Sequence, residues 1–204
     1  MASQGKGNLL IVFGKFPEEG KVKTRLAKSI GDSKATEVYK RLMDYTLTVS
    51  SNVDCDVCLF YDGQETVPEW NEKVNQFEFQ EGNGLGERMI AAFAKGFADG
   101  YERIVLIGSD CAELREDLIE EAFEALEYNE VTIGPAEDGG YYLIGTNQSL
   151  PVLFTDMEWS TDEVFETTVH RIRWAKVGAE FLEKLSDVDE FVDAQRVSWL
   201  KDLL

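Results

Sequence analysis

Five cations crowd one short stretch. Lys15, Lys21, Lys23, Arg25 and Lys28 stand against only Glu18 and Glu19, with Pro17 and Gly20 bending the backbone between them. Residues 1–31 carry six Lys and Arg and two Glu, a net of +4, in a 204-residue chain whose total is −19. The stretch follows Leu9-Leu10-Ile11-Val12-Phe13, an apolar run of the kind a strand buried on both faces shows, and Gly14 ends it. Cations around a bent loop at the carboxyl end of a buried strand are suited to phosphate, because open α/β sheets bind ligands there. The alternative is a solvated basic loop held to the acidic body by weak surface pairs. Two known phosphate loops are excluded by spacing. A P-loop needs four residues between its glycines and Ser or Thr after its Lys, whereas Gly14 and Gly20 enclose five and Val22 follows Lys21. The G-x-G-x-x-G of dinucleotide binding is also missing from this turn.

Asp110 is the second candidate. It follows another buried run, Ile104-Val105-Leu106-Ile107-Gly108, so it should emerge at the same sheet edge as the basic loop. A carboxylate there can hold Mg²⁺ (or Mn²⁺) bridging phosphate oxygens, since Mg²⁺ takes one or two carboxylates plus phosphate and water; an Asp in that place can equally cap the next helix. The third candidate is Glu137-Asp138-Gly139-Gly140. Paired carboxylates before paired glycines suit a tight turn where backbone approaches a ligand and an acid reaches its hydroxyl. A plain hairpin turn explains the same residues.

The elements that must position these groups alternate along the chain. The cationic stretch reads as a loop outside the core, followed by a helix from about Asp32 to Val49 with Val38, Leu42, Tyr45 and Val49 on one face. Further strands are expected at Val57–Tyr61, Phe77–Phe79, Ile104–Ile107, Val131–Ile133, Tyr141–Ile144 and near Phe181–Leu185, and helices at about Leu85–Phe97, Glu116–Glu127, Thr161–Trp174 and the C-terminus. Strands alternating with helices predict one domain over 1–204 with a three-layer, mostly parallel, Rossmann-like α/β sheet.

Composition removes several functions. A charge of −19 and 44% hydrophobic residues describe a single acidic domain that repels nucleic acid and anionic membranes except at a local basic site. No apolar run approaches membrane-spanning length and the N-terminus shows no leader-like stretch, so a cytoplasmic protein is expected. Cys55 and Cys58 form a C-x-x-C inside a strand-like run, where residues three apart face opposite sides. Cys111 stands alone and His170 is the one histidine, so reduced structural thiols are expected rather than a zinc or redox site.

Six ordered motifs carry a resemblance: K-F-P-E-E-G-K-V-K-T-R-L, Q-E-G-N-G-L-G-E-R-M, G-S-D-C-A-E-L, E-D-G-G-Y-Y-L-I-G, W-S-T-D and D-V-D. Together, from about Leu9 to Ala194, the chain resembles the uncharacterised glycosyltransferase-like family of the nucleotide-diphospho-sugar transferase superfamily. That family is similar to phospholactate guanylyltransferase and, more distantly, to molybdopterin guanylyltransferases and sugar-nucleotide pyrophosphorylases. The resemblance implies a GT-A-like fold, with Lys23 and Arg25 at the phosphates, Gln80 and Gly86 in the region that reads the nucleobase, and Glu137, Asp138, Gly139 and Gly140 on the acceptor side. It implies a metal at Asp110, with Asp187 or Asp189 as a further carboxylate. Ala112 stands where the family usually shows proline, and no D-x-D ends the fourth strand. Nucleotidyltransferases are therefore nearer than sugar-donor enzymes.

These readings lead to a metal-dependent transferase that uses a nucleoside triphosphate or a nucleotide sugar and a small acceptor. Lys23, Asp110 and Asp138 are its catalytic candidates, and Lys15 joins Lys21, Lys23 and Arg25 on the phosphates. A nucleotide-binding regulator without turnover is the alternative. An interaction module using the acidic Glu116–Glu127 helix is the third reading.

Overall fold

The computed structural model describes residues 6–204; the reading of the extreme N-terminus falls partly on residues 1–5, outside that range. Seven strands form one sheet: β1 (Asn8–Lys15), β2 (Asp56–Asp62), β3 (Gln76–Phe79), β4 (Arg103–Ile107), β5 (Val131–Pro135), β6 (Tyr141–Thr146) and β7 (Ala179–Phe181). Their order is β3-β2-β1-β4-β6-β5-β7. Pairing is parallel except around β6, which runs antiparallel to both β4 and β5, because the turn carrying Glu137 to Gly140 returns the chain beside β5.

Side-chain alternation divides the core. Leu10 and Val12 of β1 pack with Met43 and Leu47 of α2 (Asp32–Ser51) and with Ile119 and Phe123 of α5 (Glu116–Ala125). Leu9 and Ile11 join Met89 and Phe93 of α4 (Leu85–Ala98) and Ile172 of α6 (Val164–Ala175) on the opposite face. Period-2 strands between apolar helix stripes thus give the expected three layers. Cys58 belongs to the second cluster, whereas Cys55 packs against the first, as residues three apart in extended chain should.

The cationic stretch differs from expectation. It is a loop only to Lys23; α1 (Thr24–Ile30) begins at the next residue, and Val22 and Leu26 are buried. Leu26 packs with Ala35, Val38 and Leu42 of α2 and with Val188, Ala194 and Leu200 from the C-terminal segment. About two turns of helix with three cations in and beside it have too few apolar positions to show a period. A short α3 (Pro68–Asn71) in the expected polar connection escapes for the same reason. The last strand is Ala179–Phe181, earlier than expected. The chain still follows β5 beyond it, with Leu182 N–H donating to the Ile133 carbonyl and Leu185 N–H to that of Pro135. A last α-helix, α7 (Phe191–Arg196), starts with a capping box between Glu190 and Asp193. Among the described residues, no helix is long and apolar enough to cross a membrane.

Candidate active site

The chain runs from β1 to β2 and β3 on one side of the sheet and places β4 on the other, so the direction of winding changes between β1 and β4. A crevice forms outside the carboxyl ends at such a point. Here β1 stays registered with β2 as far as Lys15↔Asp62 but parts from β4 after Val12↔Ile107. Tyr39, buried on α2, fills the gap: its hydroxyl accepts from the Lys15 N–H (2.6 Å) and donates to the Lys15 carbonyl (3.0 Å). Burial, followed by the charge of Asp110, raises the phenol's pKa, so it stays protonated and keeps both bonds. The backbone from which the cationic loop departs is thereby tied to the core.

The crevice opens into a cavity of about 490 Å³, a normal size for a small-molecule site. Lys15, Lys21, Lys23 and Arg25 line it together with Gln80, Ser109, Asp110 and Asp189. Gln80 follows β3 and its Nε2 donates to the carbonyls of Phe60 (2.9 Å) and Gly14 (3.3 Å), which ties the ends of β1, β2 and β3 together. Arg88, near the start of α4, reaches Asp62 at the end of β2 (2.7 Å), and both line the cavity. From β3 to β4 these groups span three strand spacings, about 14 Å.

Carboxylates gather at the β4 end. Lys23 Nζ lies 2.7 Å from Asp110 Oδ1 and 3.5 Å from Asp189 Oδ1, and Arg25 sits 3.4 Å from Asp189 Oδ2. Asp187 and Asp189 reach this place because Val188 between them is buried and its N–H donates to the Asp110 carbonyl (2.9 Å), while Asp187 bridges Cys111. Burial first, and then the charge of Asp110, pushes the Asp187 carboxyl up to about 7; Asp138 and Asp189 add to the effect and Lys23 opposes it. The charge of Asp138 therefore acts on Asp187, although Asp138 itself is exposed and lies outside the cavity lining. Among the described residues, no three His, Cys, Asp or Glu side chains gather closely enough to hold a metal ion unaided. Two hard carboxylates, Asp110 and Asp187, crowded enough to raise a pKa, fit Mg²⁺ or Mn²⁺ with water and ligand phosphate completing the shell.

Residues 46–161 match a family described as an uncharacterized protein conserved in bacteria (DUF2064), more than half of the chain. The chain belongs to this family. A protein from Desulfovibrio desulfuricans G20, provisionally named a nucleotide-diphospho-sugar transferase, is 34% identical, with a TM-score of 0.84 over 90% of this chain and 82% of that one. The fold also resembles 4-diphosphocytidyl-2C-methyl-D-erythritol synthase from Anaerococcus prevotii DSM 20548 (TM-score 0.66, 10% identity, 97% of each chain). Rv0371C of Mycobacterium tuberculosis H37Rv, in complex with manganese, is similar as well (TM-score 0.58, 12% identity, 95% of this chain and 98% of that one). No curated protein matches the sequence.

In this DUF2064 member, Lys15, Lys21, Lys23, Arg25, Gln80, Asp110 and Asp189 converge on one cavity, with Asp187 beside Asp110. Gly86 does not join them. It is buried in the first turn of α4, where a Cβ would come within 2.5 Å of the Phe154 carbonyl oxygen and 2.9 Å of Trp159 Nε1, so close packing accounts for the glycine. Gly139, at φ +89°, meets the backbone of Asp162, and the Gly140 N–H donates to Asp138 Oδ1 (2.9 Å). Glu137 is exposed, its N–H donating to the Leu185 carbonyl (2.9 Å). This turn thus anchors the W-S-T-D loop and the run leading to Asp187. Tyr39, Asp62, Arg88 and Ser109 were not singled out as cavity residues from sequence. Asp62 and Ser109 end strands at the predicted edge and could have been found by that rule, whereas Tyr39 and Arg88 carry no such signal.

Proposed function

We propose that this protein is a metal-dependent transferase that takes a nucleotide-activated substrate, binding its phosphates with Lys21, Lys23 and Arg25 and a divalent metal with Asp110 and Asp187. The observation that supports this is the convergence of four cations from the end of β1, the loop after it and the start of α1 with Asp110 on one cavity at the switch point of the sheet. Lys15, the last residue of β1, and Lys21 in the loop are exposed, Lys23 is enclosed beside Asp110, and Tyr39 holds the strand end that leads into this stretch. Bound Mg²⁺ or Mn²⁺ would neutralise phosphate charge as it develops in the transition state. The fold relative that holds manganese is consistent with that role.

Nucleotidyl transfer from a nucleoside triphosphate is the reading the cations favour. Attack on the α-phosphate releases pyrophosphate, a leaving group whose charge several fixed cations stabilise. The groups at β2 and β3, Asp62, Arg88 and Gln80, then stand at the far end of the cavity, where the nucleoside would lie. A second reading, glycosyl transfer from a nucleotide sugar, is favoured by the provisional name of the D. desulfuricans relative and by Asp138, whose carboxylate would anchor or deprotonate an acceptor hydroxyl.

Product identity separates them. Protein is incubated with Mg²⁺, small acceptors and either nucleoside triphosphates or nucleotide sugars, and pyrophosphate and free nucleoside diphosphate are assayed. Pyrophosphate that disappears in Lys23→Ala and Asp110→Asn supports nucleotidyl transfer; acceptor-dependent release of nucleoside diphosphate from a nucleotide sugar replaces it with glycosyl transfer. Neither product, with no nucleotide raising the melting temperature, ends the transferase reading.

A further inference from the structure

Lys23 differs from the other cations of the crevice. Its side chain is 3% exposed, against 27% for Arg88, 60% for Arg25 and 70% for Lys21. Its backbone lies in the left-handed region at φ 47°, ψ 44°, a conformation a lysine keeps only when its surroundings enforce it. Those surroundings are buried Val22 on one side and, after Thr24 and Arg25, buried Leu26 on the other. This strained residue delivers an ammonium to Asp110 Oδ1 at 2.7 Å, with Asp189 Oδ1 at 3.5 Å behind it. A carboxylate suited to a metal thus already carries a tethered cation.

We propose that Lys23 is a resident counter-ion that makes metal binding at Asp110 depend on prior or concurrent phosphate binding. The inference rests on the reading of Asp110 as a metal ligand given above. A divalent ion bound to an Asp110 oxygen at ~2.1 Å would stand within a few ångströms of the ammonium. Lys23 is enclosed while Asp110 and Asp189 are 43% and 38% exposed, so solvent reaches the metal side of the pair and weakens the repulsion between the two positive charges without removing it. Phosphate oxygens remove the conflict. They offer the ammonium an anionic partner other than Asp110 and offer the metal further oxygen ligands. Phosphate and metal then raise each other's affinity by one and the same factor, as linkage requires. Without phosphate, the lysine keeps free divalent ions from the carboxylates.

The alternative is a static ion pair that only steadies Asp110, and metal binding without turnover separates the two. Free Mn²⁺ is titrated by electron paramagnetic resonance with wild-type protein, Lys23→Met and Lys23→Gln, each with and without inorganic pyrophosphate. Lys23→Met should bind Mn²⁺ alone on the order of 10-fold more tightly than wild type. Pyrophosphate should tighten Mn²⁺ on wild type by a similar factor and on Lys23→Met by much less. The gain should vanish in Lys23→Met/Asp110→Asn. The wild-type measurement stands even if one substitution impairs folding, and Lys23→Gln repeats the test with a polar side chain. Mn²⁺ binding that is sensitive to Asp110→Asn yet no tighter in either Lys23 variant would overturn the counter-ion role alone. Binding indifferent to Asp110→Asn in every background would overturn the metal site with it.

Discussion

The Asp187 carboxyl is the group through which pH should act on this fold. Its pKa rises from 3.8 to about 7 because the carboxylate is buried beside Asp110. A folded-state pKa above the unfolded value means that the native state holds its proton more tightly. The stabilising contribution is full below about pH 4 and is lost as pH rises to about 7. From pH 5.5 to 7 that is 1.5 units, or about 2 kcal/mol at 1.36 kcal/mol per unit. Asp187→Asn keeps the shape and removes the titration. Relative to wild type, the variant should therefore gain about 2 kcal/mol of stability between pH 5.5 and pH 8.5, a relative rise in melting temperature of roughly 4–8 °C for a chain of this size. Urea unfolding of both proteins at the two pH values measures the difference directly. Parallel pH dependences for Asp187→Asn and wild type would refute the argument that burial beside Asp110 holds the proton on this carboxyl.

Three further outcomes are expected. Tyr39→Phe removes both bonds to the Lys15 backbone and should cost about 1–2 kcal/mol in urea unfolding, with weaker nucleotide-induced thermal stabilisation; an unchanged midpoint would mean that the strand end needs no such tie. Gly86→Ala forces a methyl against the Phe154 carbonyl and should destabilise by about 1–3 kcal/mol, whereas Gly84→Ala, with open space around the added carbon, should cost only the smaller N-cap preference of glycine over alanine. The thiols of Cys55, Cys58 and Cys111 are each pushed up to about 12 by burial, so a thiol reagent near pH 8 should react slowly with native protein and should find three thiols after unfolding without reductant.

Local chemistry made much of the architecture legible in the chain itself. The runs Leu9–Phe13 and Ile104–Ile107 are apolar on both faces, so each had to be a central strand. A residue that follows such a strand, such as Asp110, or a loop that follows it, such as the one carrying Lys21 and Lys23, had to emerge at its carboxyl edge. The period of α2 and α4, and the opposite faces of Cys55 and Cys58, follow from the same repeat geometry. For Gly86 the sequence cannot separate two causes, because a missing side chain looks alike whether a ligand or the Phe154 carbonyl fills the space. What only the tertiary structure decided is which distant groups meet. Asp187 and Asp189 reach Asp110 and Lys23 because Val188 is buried against the C-terminal cluster and its N–H finds the Asp110 carbonyl. Tyr39 reaches Lys15 because β1 parts from β4 beyond Val12 and leaves backbone groups to be satisfied. Such meetings have no period along the chain. They arise when buried apolar surface and unpaired backbone groups are satisfied together, across separations of 24 residues for Tyr39 and Lys15 and 166 for Lys23 and Asp189.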